Sequence, residues 1–167
     1  MRYTSILLAV TDMEASKRFY REVLGLDVVA DFGANVTLTG GITLQTLETW
    51  KDLLHTDEVT LQSNAGELYF ETEDMDALRA HLERFDLRYV HGLHEQPWGQ
   101  RVIRFYDPDG HIIEAAEELD AVILRFAAQG LDPEQTAARM GVPLDFVTGS
   151  LDRARSGALT ADLEAIE

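Results

Sequence analysis

The chain has 167 residues, 46% of them hydrophobic, enough for one sizeable core with a small appendage. It has no cysteine, which excludes a disulfide framework, a thiol nucleophile and a thiolate metal site, so any metal must be held by His, Asp, Glu or Gln. Fourteen Lys and Arg against 30 Asp and Glu give a formal charge of −16, which disfavours nucleic acid and anionic membrane and suits a small neutral or cationic partner. No apolar stretch approaches a membrane span, and Asp12 and Glu14 interrupt the N-terminal apolar run, so the expectation is a cytoplasmic protein with no membrane partner.

In chain order, Ser5 to Val10 reads as a strand. Asp12 is placed as an N-cap, and Thr11 with Glu14 has the spacing of a capping box, so a helix is predicted from there to about Leu24, with Gly25 as its C-terminal cap. Three strands follow, Asp27 to Phe32, Asn35 to Thr39 and Ile42 to Thr49, divided by Gly33 and the Gly40-Gly41 pair. Trp50 to Ser63 reads as a polar connector with room for a short helical turn.

The order then repeats. Asp74-Met75-Asp76-Ala77 echoes Asp12-Met13-Glu14-Ala15 at an offset of 62 positions, following strand Glu67 to Thr72 and opening a helix expected to reach about Phe85. Three more strands end in the hairpin Gln100 to Tyr106 and His111 to Ala116, around the turn Asp107-Pro108-Asp109-Gly110. Strand parity puts Ile6, Leu8 and Val10, and Leu68 and Phe70, under the helices. Ser5, Leu7 and Ala9, and Glu67, Tyr69 and Glu71, face the other way. Gly41 to Gln45 matches Gly110 to Glu114, so Ser5, Gln45, Glu67 and Glu114 become equivalent positions of two βαβββ units.

The run Thr11 to Ser16 with Phe19-Tyr20 and Val23-Leu24-Gly25-Leu26, together with Phe105-Tyr106-Asp107-Pro108-Asp109-Gly110-His111 and Glu114, resembles the glyoxalase/bleomycin-resistance/extradiol dioxygenase (vicinal oxygen chelate) superfamily. The resemblance covers about residues 3 to 118. It implies an α+β fold in which two βαβββ modules, 1–62 and 63–118, form a cup-shaped, partly closed sheet. It implies a homodimer binding a small molecule, with the cup built in one chain or by exchange between two. Members include metal-dependent isomerases, dioxygenases and epoxide-opening transferases, and also metal-free proteins that sequester a drug.

Carried over residue by residue, the family's metal positions are Ser5, Gln45, Glu67 and Glu114. Gln45, Glu67 and Glu114 are acceptable oxygen ligands, while Ser5 stands where His or Gln is usual and offers only a neutral hydroxyl. A divalent metal (Mn, Mg, Ni, Zn or Fe) is thus one expectation, with no metal the favoured one. Without metal, Glu67 and Glu114 could serve as a catalytic base and acid, or as hydrogen-bonded groups in a binding cup. Tyr69, Trp98, Arg101 and Arg104 are the expected ligand-binding side chains. Arg101 and Arg104 lie on opposite faces of one strand, so one arginine should approach the cup. His111 is expected to be exposed, and His55 and His81 to be ordinary surface residues. Two functions remain open: a lyase, isomerase or dioxygenase, or a metal-free small-molecule or drug-binding protein.

Beyond Glu118 the pattern is helical: Leu119 to Gln129, a second helix capped by Asp132-Pro133 and ended by Gly141, and a third from Pro143. The spacing resembles a helix-turn-helix. Residues 118–167 nevertheless carry nine acids against four arginines, and Leu144 to Leu151 offers no basic residue, so 119–167 is read as a dimerisation or lid element with no nucleic-acid partner.

Overall fold

The computed structural model of the protein describes residues 1–157; the expected helical extension beyond that point lies outside the described residues. The first module runs β1 (Ile6–Val10), α1 (Met13–Leu24), β2 (Val28–Asp31), β3 (Asn35–Leu38), β4 (Ile42–Thr46) and α2 (Leu47–Leu54). The second runs β5 (Glu67–Thr72), α3 (Met75–Leu82), β6 (Tyr89–Glu95), β7 (Arg101–Tyr106) and β8 (Ile112–Glu117). Helices α4 (Leu119–Ala128), α5 (Pro133–Met140) and α6 (Leu144–Ser156) follow. The strands form two sheets ordered β1-β4-β3-β2 and β5-β8-β7-β6, so the fold is α+β with the βαβββ order used twice. In each sheet the first strand lies beside the fourth, and β1 pairs parallel with β4.

Local chemistry explains the element ends. The Asp12 side chain accepts from Ala15 N at the start of α1, and Gly25 closes that helix in the left-handed region at φ 70°. Thr11 makes no capping box, because its hydroxyl is spent on Asp109. Asp132 and Gln135 form a reciprocal capping box on α5, with Pro133 inside its first turn. Two expectations are corrected. The strand expected to reach Thr49 ends at Thr46, where Leu47 starts α2 and the Thr49 hydroxyl donates to the Thr46 carbonyl. The helix expected to reach Phe85 stops at Leu82, because Arg84 N and Phe85 N bond carbonyls only three residues back.

By contacts the chain divides into two compact units. One comprises 1–68, 80–90 and 104–114; its buried residues include Val10, Tyr20, Val36, Leu44, Leu82, Phe105 and Ile113. The other comprises 69–79, 91–103 and, among the described residues, 115–157, and contains a helical core of Val122, Ile123, Phe126, Ala137, Met140 and Val147. In this second unit Gly99 sits at φ 92° so close to Phe126 that a Cβ there would lie 2.1 Å from the ring, which packs the Trp98-Gly99 turn directly onto α4.

In the first unit, the turn after β7 is bolted to α1 by two buried carboxylates. Asp109 Oδ1 accepts from Thr11 N (2.9 Å) and the Thr11 hydroxyl (2.6 Å), and its Oδ2 accepts from Ser16 (3.3 Å). Asp107 Oδ2 accepts from the Tyr20 hydroxyl and from His111 Nδ1, both at 2.8 Å. His111 is therefore an anchored residue rather than an exposed one. His81 likewise is partly buried, with Nε2 3.2 Å from the Val23 carbonyl and its ring edge-on to Phe85.

Burial of the His111 ring lowers its pKa, but the hydrogen bond and charge of Asp107, with Asp109 behind it, outweigh this and raise it above the ordinary value. A raised folded-state pKa contributes stability that is complete below the unfolded value of about 6.5 and is lost as pH rises through the folded value. Urea melts of wild type and His111→Gln should therefore differ most at acidic pH, with the gap narrowing as pH rises past neutrality. A gap independent of pH would show that the contact carries no charge linkage.

Candidate functional site

The backbone bond from Asp107 N to His111 O (2.9 Å) fixes the register of the β7–β8 hairpin. Counting outward from that pair, Arg104 stands opposite Glu114 and Arg101 opposite Glu117. The two pairs are three positions apart along each strand, an odd step that reverses the facing of a side chain, and each arginine meets a carboxylate across the strands.

In the first unit, Arg104 clamps both candidate carboxylates. Its Nε donates to Glu67 Oε2 at 2.9 Å, and its Nη2 lies against the Glu114 carboxylate. Glu114 is buried, while the Glu67 and Arg104 side chains are partly exposed. The structure thus brings together Glu67, Glu114 and Arg104. Ser5 and Gln45, the other two sequence-derived positions, have partners of their own. Ser5 accepts from the Thr43 hydroxyl at 3.2 Å. Gln45 accepts from Asn35 Nδ2 at 2.8 Å and donates to Thr49. Asn35 is the residue directly opposite Gln45 in the β3–β4 pairing. The cross-strand pair Asn35/Gln45 and the pair Arg104/Glu114 therefore occupy the same position of the two modules, 69 residues apart.

This arrangement does not fit the divalent metal that the family resemblance implies. A guanidinium already bridges the Glu67–Glu114 pair and fills the space between the two carboxylates. The Gln45 oxygen is committed to Asn35 and the Ser5 hydroxyl to Thr43. Among the described residues, no group of three or more His, Asp or Glu is gathered so as to hold a metal ion.

Beside Glu67, and wholly within the first unit, lies a cavity of about 220 Å³. Its apolar wall is Ile6, Leu8, Leu61, Leu68 and Ile112; its polar wall is Gln62, Ser63, Asn64, Glu67 and His111. Ile6, Leu8 and Leu68, which parity placed under the helices, thus line the cavity, and Ile6 is exposed. The 60–66 loop is held by Arg88, which donates to Gln62 Oε1 (2.7 Å), and by Tyr106, which donates to Asn64 Oδ1 (3.2 Å). Gly110 permits this approach: at φ 90° it stands where a Cβ would come within 2.7 Å of Gln62 Cβ.

Tyr69, Trp98 and Arg101 belong to the second unit. Gln100, itself buried, accepts from Trp98 Nε1 (3.0 Å) and donates to the Tyr69 hydroxyl (3.2 Å) and the Glu117 carbonyl (2.8 Å). Tyr69 in turn donates to Glu71. Arg101 is engaged structurally: Nη2 lies 2.9 Å from Glu117 Oε1 and Nη1 lies 3.2 Å from Asp76. Arg125 of α4 grips the same Glu117 carboxylate at 2.8 Å. Burial would raise the pKa of Glu117, but Arg125 and Arg101 outweigh it and hold the carboxyl below the ordinary range. Sequence reasoning missed Glu117; the signal was an acid closing the otherwise buried strand β8.

Residues 3–120 match the family model described as a glyoxalase-like domain. A protein of unknown function from Agrobacterium tumefaciens is similar over 71% of this chain and 95% of its own, with 36% identity and a TM-score of 0.64. A glyoxalase/bleomycin resistance protein/dioxygenase from Nocardioides aligns over 71% of this chain and 84% of its own, at 20% identity and TM-score 0.58. A lactoylglutathione lyase from Agrobacterium tumefaciens aligns over 68% of this chain and 91% of its own, at 24% identity and TM-score 0.54. Comparison with functionally curated proteins gives no match.

Removing the guanidinium would leave two carboxylates facing each other, one of them buried. Arg104→Met should cost about 2–4 kcal/mol in a urea melt, toward the low end because the clamp is partly solvated. Adding Glu114→Gln to it should restore a good part of that loss, and a double variant no more stable than the single would show that the clamp is not what the carboxylates need.

Proposed function

The chain belongs to the glyoxalase-like domain family, within the vicinal oxygen chelate superfamily, and we propose that it binds a small organic molecule without a metal in the cavity of its first unit. One observation carries this reading: Arg104 stands between Glu67 and Glu114 as an internal cation. A carboxylate pair bridged in this way is a poor general base and a poor metal ligand, because each role would first require breaking a charge-assisted contact. Held by Arg104, Glu67 instead serves as a fixed part of the cavity wall, with Glu114 behind the same guanidinium.

The cavity supports a ligand of modest size. About 220 Å³ falls below the ~300–1,000 Å³ typical of drug-sized sites, so a large drug is disfavoured relative to a compact molecule. Five aliphatic side chains supply burial for an apolar body, and the formal charge of −16 favours a neutral or cationic one. The lyase, isomerase and dioxygenase activities of metal-using members would need the cation that Arg104 replaces.

The test is to equilibrate the purified protein with Mn, Ni, Zn and Fe(II), pass it through gel filtration and measure bound metal. Wild type and Glu114→Gln should both retain far less than one ion per chain. Near-stoichiometric metal in wild type that disappears in Glu114→Gln would overturn the reading. In parallel, Ile6→Trp, which fills the cavity, should abolish the thermal stabilisation given by small apolar compounds.

A further inference from the structure

We propose that Asp107 and His111 form a proton-accepting dyad on the cavity wall, and that the ligand is a small apolar molecule carrying one hydroxyl of phenol or enol type. This rests on the cavity reading above and names the group that would orient the ligand there.

The geometry comes first. His111 lines the cavity, and its Nδ1 lies 2.8 Å from Asp107 Oδ2. A carboxylate only accepts, so in the neutral ring the proton sits on Nδ1 and the lone pair on Nε2. Asp107 cannot swing away. Its Oδ1 accepts from Asp109 N (3.0 Å) and His111 N (2.8 Å), its Oδ2 also accepts from Tyr20, and its side chain is fully buried. Nε2 makes no hydrogen bond to the described residues. A histidine recruited only as a staple could lie in any packed position; this one fixes the turn with one nitrogen and belongs to the lining of a cavity.

The remaining walls specify what it would meet. β1 and the 60–66 loop bring no titratable group to the cavity, and β5 brings Glu67. Behind the ring stand Asp107 and Asp109, with the Tyr20 hydroxyl on Asp107. The cations nearest the cavity, Arg104 on Glu67 and Arg88 on Gln62, are already engaged with the wall, so the acceptor nitrogen of the imidazole favours a ligand that donates a hydrogen bond. Donation runs from the ligand O–H to Nε2. If the proton transfers, the O–H bond breaks and an N–H bond forms, leaving an oxyanion beside an imidazolium whose Nδ1–H stays on Asp107. The imidazolium has no lone pair, and the His111 pKa is raised, so binding of a neutral hydroxyl strengthens as pH rises through that value.

Phenol and toluene, matched in shape, are the probes, titrated into the full chain by calorimetry or ligand-observed NMR. Phenol should bind wild type about tenfold more tightly than toluene, the worth of one hydrogen bond. Its affinity should rise from acidic to neutral pH, while that of toluene stays flat. In His111→Gln the preference should vanish with toluene binding retained, which reports an intact cavity. Equal binding of the two probes to wild type, or a preference that survives His111→Gln, would overturn the dyad and leave the cavity reading standing. Failure of both probes to bind wild type would overturn the cavity reading and the dyad with it.

Discussion

Two buried carboxylates in one four-residue turn hold the first unit in register. Asp109 reaches back 98 residues to Thr11 at the mouth of α1, and Asp107 reaches Tyr20 in the middle of that helix. Buried acids are costly unless every oxygen finds a donor, and here backbone N–H groups, hydroxyls and an imidazole supply them. The same turn sets which residues of β7 and β8 face each other. A slip of one residue would move Arg104 off Glu114, leaving a buried carboxylate without the guanidinium it faces.

Much of this was legible in the chain. The repeat, the caps at Asp12, Gly25 and Asp132, and the opposite facing of Arg101 and Arg104 all follow from spacing that local backbone chemistry enforces. The β4–α2 boundary was not, because Leu44 to Leu47 has apolar residues compatible with either period, and the Thr49 hydroxyl resolves the choice only in three dimensions. The end of α3 was also hidden. Phe85 continues the helical stripe in sequence, yet the backbone has already tightened at His81 and Leu82.

The site divides the same way. Parity and the repeat were enough to single out Glu67 and Glu114, but parity says which face a side chain takes, not what neutralises it. The partner was nonetheless encoded. Matching Gln45 to Glu114 also matches Asn35 to Arg104, since both steps are 69 residues and both pairs are directly opposed across an antiparallel hairpin. In the first module the pair is two amides, sharing a neutral hydrogen bond. In the second it is a guanidinium and a carboxylate. Two changes of residue type at the equivalent crossing, Asn35 to Arg104 and Gln45 to Glu114, turn a potential oxygen ligand into half of an ion pair.

The second unit holds its own buried carboxylate differently. There Glu117 is almost inaccessible and receives two guanidiniums, Arg101 from the neighbouring strand and Arg125 from α4. Arg125 and Arg139 also share Glu95, and both guanidiniums lie against the Phe126 ring, whose edge fills the space left by the missing side chain of Gly99. The helices after β8 are therefore tied to the β6–β7 turn by charge and packing at once. A buried ion cluster gains little stability over apolar packing, but it penalises every arrangement in which its members part, and so it selects a single docking of α4. The consequence reaches Trp98 and Gln100, whose positions are fixed from beneath by Phe126 and the Glu117 carbonyl. Helices α4 to α6 thus contribute to the second unit's core.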